Sequence, residues 1–206
     1  MAGNKIYVVR RGRRTGFIYS WAECLESVKG FPGASFKSFT SQADAERWLK
    51  EENIITELSE IAEDAICAYT DGSLNKETKR TAYAVWIPRL NYSELVDTTF
   101  ESCTNNYNEL RGILSAVKQF DDRGISGVIV TDSEYAIMAI GEYVIEWERN
   151  NELMSRPNGL MIWRIRELLL KTKSRLCHIR SHEGGTDSHS QGNARVDEMA
   201  QSLTRG

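Results

Sequence analysis

Four acidic residues that are far apart in the sequence lie next to predicted secondary-structure elements. Asp71 directly follows a short strand in YTDGS, and Asp132 directly follows a β-branched strand in VIVTDSEY. Acids at the ends of adjacent strands point into one crevice. Glu109 in NNYNEL and Asp197 in NARVDEMA lie at the edges of apolar helical stripes, so both could reach that crevice. The sequence therefore predicts one cluster of four carboxylates.

A cluster of unpaired acids resists ionisation unless a cation neutralises it, which makes a divalent metal ion the expected partner. Oxygen ligands are those that Mg²⁺ prefers, and four cysteines and three histidines offer few ligands for a softer metal. Taken singly, each acid has an ordinary alternative as a turn residue, a helix cap or a solvated helix side chain. Their joint occurrence beside the right elements favours a metal site.

The elements that would position these acids form an α/β domain. Strands are predicted at 66–70, 81–87, 95–100, 128–130 and 176–180, and helices at 110–120, 134–148, 160–171 and 194–203. The order βββαβα(α)αβα indicates a mixed five-stranded sheet with helices on its faces.

A small α+β domain is predicted ahead of it, with a basic hairpin around Gly12, a third strand at 34–39 and two helices. We place this domain at residues 1–50 and the α/β domain at 65–206. The acidic stretch EENIITELSEIAED between them is predicted to be a linker, either a helical continuation or a flexible tether.

Charge divides the chain in the same way. Residues 1–50 hold nine Lys/Arg and four Asp/Glu, a balance of +5, which leaves −8 for the remainder of a chain whose net charge is −3. A basic front suits a polyanion, and an acidic remainder suits metal binding.

Composition favours a globular protein without a membrane partner. The chain is 41% apolar and 27% charged, and its apolar runs are shorter than the roughly 18 residues of a membrane span. The start, MAGNKIYVVRRGRR, lacks a secretory apolar stretch, and the scattered cysteines suit free thiols. We therefore expect a cytoplasmic protein.

The motifs YTDGS, TNNYNEL, TDSEYA, and HIRSHEGG followed by GNARVDEMA, resemble the ordered signatures of type 1 ribonuclease H over residues 66–203. The resemblance implies a ribonuclease H-like fold and an endonuclease that cuts the RNA strand of RNA/DNA hybrids. It implies that the four acids bind the metal, with Asp71 contacting both ions, and that His182 helps the product leave or moves protons. It also implies that Asn105, Asn106 and Asn193 contact nucleic acid or orient the site.

The chemistry expected of such a site is two-metal hydrolysis of a phosphodiester. Two Mg²⁺ ions about 3.5 to 4 Å apart would activate a water and stabilise the leaving 3′ oxygen. The products would carry a 5′ phosphate and a 3′ hydroxyl, and Mn²⁺ could substitute for Mg²⁺.

Three positions depart from the family pattern. The loop after Asp71 reads SLNKETKRTAY where the family often has glycines, and Asn75 could supply the contact instead. Tyr107 stands where an arginine is common. The loop after His182 contains a second histidine, His189, so either could be the mobile one; we favour His182 because it directly follows the predicted strand.

Residues 6–49 resemble the hybrid-binding domain found ahead of many such enzymes, in YVVRRGRRTGFIYSW, ECLESVKGFPGASFKSF and DAERWL. The resemblance puts Trp21 and Phe36 against the deoxyribose face of the DNA strand and Lys37 on its phosphates. The alternative is that both aromatics are core residues, a role that helical spacing assigns to Trp48 instead. The predicted nucleic-acid contacts of the chain are Tyr7, Arg10, Arg13, Trp21, Phe36, Lys37, Asn75, Asn105, Asn106 and Asn193.

The expected partner is an RNA/DNA hybrid, bound by a monomer. Two other functions stay open at this point. One is a non-catalytic binder of hybrids or double-stranded RNA with a degenerate nuclease fold, which the four intact acids disfavour. The other is a related metal-dependent exonuclease or integrase.

Overall fold

The structure is a computed structural model, which describes residues 5–31, 34–50, 53–99, 104–180 and 186–205. The contacts within the chain divide it into two units, residues 1–52 and 53–206. Each unit has its own core.

The first unit is a three-stranded antiparallel sheet with the order β2-β1-β3 and a helix on each face. Its elements are β1 (Ile6–Arg11), β2 (Gly16–Ile18), α1 (Trp21–Val28), β3 (Ser35–Phe39) and α2 (Gln42–Lys50). Adjacent residues of a strand face opposite sides. Val8 accordingly packs with Ala45 and Trp48 of α2, whereas Val9 packs with Cys24 and Val28 of α1.

The second unit is built on a mixed sheet with the order β4-β9-β8-β5-β6-β7. Its strands are β4 (Ile55–Thr56), β5 (Cys67–Leu74), β6 (Thr81–Ile87), β7 (Tyr92–Asp97), β8 (Val128–Thr131) and β9 (Arg175–His178). β5, β6 and β7 form an antiparallel meander, and β8, β9 and β4 continue the sheet in parallel.

The sheet has six strands where five were predicted, and the extra strand lies in the predicted linker. Ile55 and Thr56 pair with Leu176 and Cys177 of β9. Ile54 is buried in the main core of this unit, which also contains Leu110 and Leu169. Leu58 and Ile61 pack against a second cluster of buried residues, which contains Cys177 and Val196. The prediction of a linker over residues 51–64, either a helical continuation or a flexible tether, is therefore corrected for residues 53–64, because their apolar side chains join the second unit.

Helices cover both faces of this sheet. They are α3 (Asn105–Arg123), α4 (Glu134–Met138), a π-helical segment (Ala139–Tyr143), α5 (Val144–Arg149), α6 (Gly159–Thr172) and α7 (Ser188–Thr204). α3 and α6 bury their apolar stripes in the main core on one face, and α7 buries Val196 and Ala200 on the other. No helix in the described part of the chain is long and apolar enough to cross a membrane.

Two helix predictions need correction. The helix predicted at 134–148 is interrupted by the π-helical segment. α7 begins at Ser188 rather than near residue 194, because the Asp187 carboxylate accepts hydrogen bonds from the backbone N–H groups of His189 and Ser190 and caps the helix there.

α7 lies unusually close to β5. A Cβ added at Gly192 would lie 2.4 Å from a ring carbon of Tyr69, so only glycine fits beside that ring. The close approach holds α7, which carries Asp197, against β5, which carries Asp71.

Candidate active site

Two of the four acids lie side by side because of the sheet register. β5 and β8 are parallel, with Tyr69 opposite Val130. Two residues further along, Asp71 lies beside Asp132. Asp71 was predicted to follow its strand, but it lies within β5, which continues to Leu74, whereas Asp132 directly follows β8.

Glu109 joins them from the second turn of α3. Thr104 caps this helix, since its hydroxyl accepts the N–H of Tyr107 at 3.2 Å. A Cβ added at Gly72 would lie 2.5 Å from the backbone nitrogen of Glu109. Glycine at position 72 therefore lets the start of α3 touch the backbone of β5.

Carboxylate oxygens of Asp71, Glu109 and Asp132 all lie within 4.8 Å of one another. Asp197 of α7 stands outside this group of three, but it lines the same cavity of about 470 Å³. The cavity is lined by Asp71, Gly72, Ser73, Leu74, Lys76, Asn105, Glu109, Asp132, Asp197 and Gln201. The structure thus gathers all four predicted acids around one cavity.

Burial and the charges of neighbouring acids make Asp71 and Glu109 hard to ionise. Burial, followed by the charges of Asp132 and Asp197, raises the pKa of Asp71 to about 8. Burial, followed by the charges of Asp71 and Asp132, raises the pKa of Glu109 well above its usual value. A hydrogen bond from the backbone N–H of Gly72 opposes both changes, because it favours the ionised forms.

These residues fit a divalent cation. Oε2 of Glu109 and Oδ1 of Asn193 are buried and have no hydrogen-bond partner among the described residues. A buried polar atom without a partner is costly, so both atoms call for a donor or a cation. The candidate ligands are all oxygen atoms, which suits a hard ion such as Mg²⁺.

Two of the predicted asparagines touch the acids. Nδ2 of Asn105 donates to Oε1 of Glu109 at 3.2 Å, and Nδ2 of Asn193 donates to Oδ2 of Asp132 at 3.4 Å. Asn106 is exposed on the first turn of α3 and does not line the cavity.

Asn75 organises its own turn instead of the cavity. Its Oδ1 accepts the backbone N–H groups of Glu77 at 2.9 Å and Thr78 at 3.1 Å, and its Nδ2 donates to the carbonyl of Thr204 at 3.1 Å. The Asn75 side chain therefore stabilises this turn, and its contact with nucleic acid stays a prediction.

The two candidate mobile histidines differ in what the structure says of them. His182 lies outside the described residues. His189 lies in the first turn of α7, with Nδ1 3.1 Å from the hydroxyl of Tyr69. This contact places the ring of His189 against β5, and the choice of His182 as the mobile histidine stays a prediction.

Sequence reasoning missed Gln201 and Lys76 at this cavity. The side chain of Gln201 donates to the Asp197 carboxylate from one turn further along α7. The i, i+4 spacing of the two residues is the signal that could have found it. Lys76 lies in a loop without a comparable pattern.

The first unit carries a cluster of exposed aromatic rings. The ring centroids of Tyr7 and Trp21 are 5.5 Å apart, and those of Trp21 and Phe36 are 6.1 Å apart. Trp21 is 48% exposed and Phe36 is 41% exposed, whereas Trp48 is buried. Lys37 follows Phe36 in β3, so its side chain leaves the opposite face of the strand.

Two predicted nucleic-acid contacts are engaged inside the first unit. The guanidinium of Arg10 lies 3.8 Å from the ring centroid of Trp48 and donates to the carbonyl of the same residue. Arg13 donates to the carbonyls of Glu26 at 3.2 Å and Lys29 at 2.8 Å, at the end of α1. Both arginines therefore stabilise this unit, and their contacts with nucleic acid stay predictions.

Family models match both units. Residues 63–205 match the model described as RNase H, and residues 5–49 match the model described as Ribonuclease H1 N-terminal domain. The chain belongs to the ribonuclease H family. The four acids around the cavity all lie in the segment that matches the RNase H model.

Curated ribonucleases H match parts of the chain. Ribonuclease H1 of Mus musculus is 54% identical over 39 residues, which cover 19% of this chain and 14% of that protein. Ribonuclease H of Thermosynechococcus vestitus (strain NIES-2133 / IAM M-273 / BP-1) is 29% identical over 108 residues, which cover 50% of this chain and 65% of that protein. The matched segments thus span about one seventh and just under two thirds of these relatives.

Solved structures share the ribonuclease H fold. A solution structure of the PFV RNase H domain has a TM-score of 0.56 at 17% identity, covering 68% of this chain and 94% of that domain. A foamy viral protease-reverse transcriptase in complex with RNA/DNA hybrid has a TM-score of 0.54 at 22% identity, covering 68% of this chain and 20% of that protein. At these identities the likeness establishes the ribonuclease H fold alone.

Proposed function

We propose that this protein hydrolyses the RNA strand of RNA/DNA hybrids by a reaction that needs two divalent cations. The observation that carries the proposal is the group of carboxylate oxygens from Asp71, Glu109 and Asp132 within 4.8 Å of one another, in a chain of the ribonuclease H family. Asp197 in the same cavity supplies a fourth acid.

The four acids would hold the cations, which we propose to be Mg²⁺ or, as a substitute, Mn²⁺. Bound divalent cations supply an activated water and charge stabilisation for phosphodiester hydrolysis. The expected products are a 5′ phosphate and a 3′ hydroxyl.

The neighbouring side chains hold the acids in place. Asn105 donates to Glu109, Asn193 donates to Asp132, and Gln201 donates to Asp197. These bonds limit the rotamers of the carboxylates, so less conformational entropy is lost when a cation binds. His182 would help the product to leave.

The first unit would hold the hybrid. Its exposed aromatic cluster of Tyr7, Trp21 and Phe36 offers flat apolar surfaces, and residues 1–50 carry a charge balance of +5. Cations bind phosphates without reading sequence, and a hybrid is recognised by groove shape and 2′ hydroxyls. We propose that the protein acts as a monomer in the cytoplasm.

The test is cleavage of an end-labelled hybrid by the full chain with Mg²⁺, with Mn²⁺ and with Ca²⁺. We expect cleavage of the RNA strand with the first two ions, with the product ends as stated. Asp132→Asn should lower the rate by at least about a thousandfold, because one carboxylate ligand is lost, and leave hybrid binding near that of the parent. The exposed acid Asp64 supplies the matched control, since Asp64→Asn should cleave normally.

Three results would contradict the proposal. Normal turnover by Asp132→Asn would contradict the assignment of Asp132 as a cation ligand. Binding of the hybrid without cleavage in Mg²⁺ would favour a non-catalytic binder, and equal cleavage of duplex DNA would favour a nuclease of another specificity.

A further inference from the structure

A chain of three buried polar side chains lies directly behind Glu109. Thr81, Thr98 and Asn108 are 2%, 1% and 0% exposed. The hydroxyl of Thr98 donates to Oδ1 of Asn108 at 2.7 Å, and the hydroxyls of Thr81 and Thr98 are 2.8 Å apart. A hydroxyl has one proton to donate, so Thr81 must be the donor to Thr98. The bonds therefore run in one direction, from β6 through Thr98 to the start of α3.

The amide of Asn108 also reaches the strand that carries Asp71. Its Nδ2 donates to the carbonyl of Ser73 at 3.5 Å, two residues beyond Asp71 in β5. The side chain of Asn108, the residue before Glu109, thus bonds directly to β5. Through Thr98 and Thr81 it is also connected to the end of β7 and to β6.

This connection acts where α3 and β5 are in backbone contact. A Cβ at Gly72 would lie 2.5 Å from the nitrogen of Glu109 and 2.9 Å from the carbonyl carbon of Asn108. Further along α3, apolar residues such as Leu110 and Ile113 hold the helix in the main core. At its first turns the directional hydrogen bonds of Asn108 take over this role, and such bonds restrict position more than apolar contacts do.

We propose that Asn108 and Thr98 are positioning residues for Glu109, which set the distance of its carboxylate from Asp71 and Asp132 and thereby the affinity of the site for divalent cations. Within the described part of the chain, neither side chain forms a hydrogen bond with an acid of the cluster, so both act through the backbone of α3. The inference rests on the proposed function, because it concerns the cations that the four acids would hold.

The experiment is calorimetric titration of the full chain with Mn²⁺ and with Mg²⁺, in the absence of nucleic acid. Thr98→Val keeps the shape of the side chain and removes the hydroxyl, and Thr98→Ser keeps the hydroxyl. We expect Thr98→Val to raise the dissociation constant of the cation by up to about fivefold, the limit reached if the contribution of one buried hydrogen bond is lost only from the cation-bound state. Thr98→Ser should remain close to the parent.

A control separates positioning from loss of stability. Thr172→Val removes a hydroxyl that bonds to the carbonyl of Leu168 and to Ser174, each at 2.8 Å, at the end of α6. It should lower the melting temperature by a similar amount and leave the cation dissociation constant unchanged. Cleavage measured against Mg²⁺ concentration should show the same contrast, with Thr98→Val recovering most of the parent rate at saturating Mg²⁺.

Thr81→Val keeps the test decisive if Thr98→Val fails to fold. It removes the donor one bond further from Glu109, and a smaller increase in the cation dissociation constant is expected. Cation affinity equal to that of Thr172→Val in the folded variant would overturn the inference while leaving the proposed function intact. A parent protein that neither binds the cation nor cleaves the hybrid would instead refute the proposed function.

Discussion

The environment of Asp71 favours the binding of a cation. Its carboxyl is buried between two other acids, and its pKa is raised to about 8. The folded state therefore binds a proton that the unfolded state releases near pH 4. In the absence of a cation, the free energy of unfolding must fall as the pH rises from about 4 to about 8, because the unfolded state binds fewer protons than the native state.

Asp71→Asn should remove this cost. In chelator at pH 7, we expect the free energy of unfolding of this variant to exceed that of the parent by roughly 1 to 3 kcal/mol. This gain is smaller than the raised pKa of Asp71 implies at about 1.4 kcal/mol per pKa unit, because the new amide also has few hydrogen-bond partners. Urea denaturation at pH 5 and pH 7 checks this, and the gain should be smaller at pH 5. Asp64→Asn, at an exposed position, should show no gain. A variant less stable than the parent at pH 7 would mean that Asp71 is not in a repelling cluster.

Individual site residues were predictable to different degrees. Each acid lies next to a predicted strand or at the edge of a helical stripe, so Asp71, Asp132 and Glu109 could be brought together from the sequence, although β5 continues past Asp71 to Leu74. The contacts of Arg10 and Arg13 could not be placed, because a charged side chain near a turn looks the same whether it faces solvent or stacks on Trp48.

At the scale of elements, the approach of α3 to β5 depends on a glycine. The backbone nitrogen of Glu109 occupies the space that a Cβ at position 72 would need. Backbone atoms cannot rotate away as side-chain ends can, so any other residue must push the two elements apart.

Gly72→Ala should therefore damage the site more than the fold. We expect weaker cation binding and at least about a tenfold loss of cleavage, because a shift of about 1 Å in a catalytic group costs on the order of a hundredfold. Gly141 supplies the control, since a Cβ there would make ordinary 3.4 Å contacts with Ile55. Calorimetry with Mn²⁺ and a cleavage assay measure both variants, and full activity of Gly72→Ala would show that the contact is not tight.

The segment that contains the short strand β4 forms the start of the second unit, and a substitution there tests this boundary. Ile54 is 4% exposed in the main core, next to the strand that pairs with β9. Ile54→Ala should lower the free energy of unfolding of the second unit by about 2 to 4 kcal/mol. Ala62→Gly, at an exposed position of the same stretch, should cost far less. An Ile54→Ala variant as stable as the parent would indicate that these residues form a linker and do not belong to the core of the second unit.

The sequence predicted five of the six strands because each has a run of β-branched or alternating residues. β4 has two residues, and the many acids around Ile54 and Ile55 indicate solvent exposure. Its pairing with β9 is a long-range contact that no local pattern contains. The start of α7 was missed for a related reason, since the polar residues 188–193 show no apolar stripe and the helix is fixed by its Asp187 cap.

At the scale of the whole molecule, the proposed function would divide binding from chemistry between the two units. The acidic cluster lies entirely in the second unit, and the exposed aromatic cluster lies in the first. This division follows the charge of the sequence, in which residues 1–50 are basic and the remainder is acidic.

Trp21→Ala should weaken hybrid binding and leave cleavage chemistry intact. Loss of one aromatic contact with nucleic acid costs about 1 to 2 kcal/mol, which corresponds to an increase of roughly 5- to 30-fold in the dissociation constant. Fluorescence anisotropy with a labelled hybrid in Ca²⁺ measures the affinity, and cleavage at saturating hybrid in Mg²⁺ should remain near the parent rate. Tyr19→Ala removes a neighbouring exposed ring as the control. Equal affinities of the two variants would count against the aromatic cluster as the binding surface.

Because Gly192 contacts the ring of Tyr69, the substitutions that one of these positions tolerates during evolution depend on the residue at the other. A homologue could acquire a side chain at position 192 only after the residue at position 69 had become small, and the reverse order of substitutions would pass through a clash. Substitution histories at this pair should therefore run in one direction, with the tyrosine lost first.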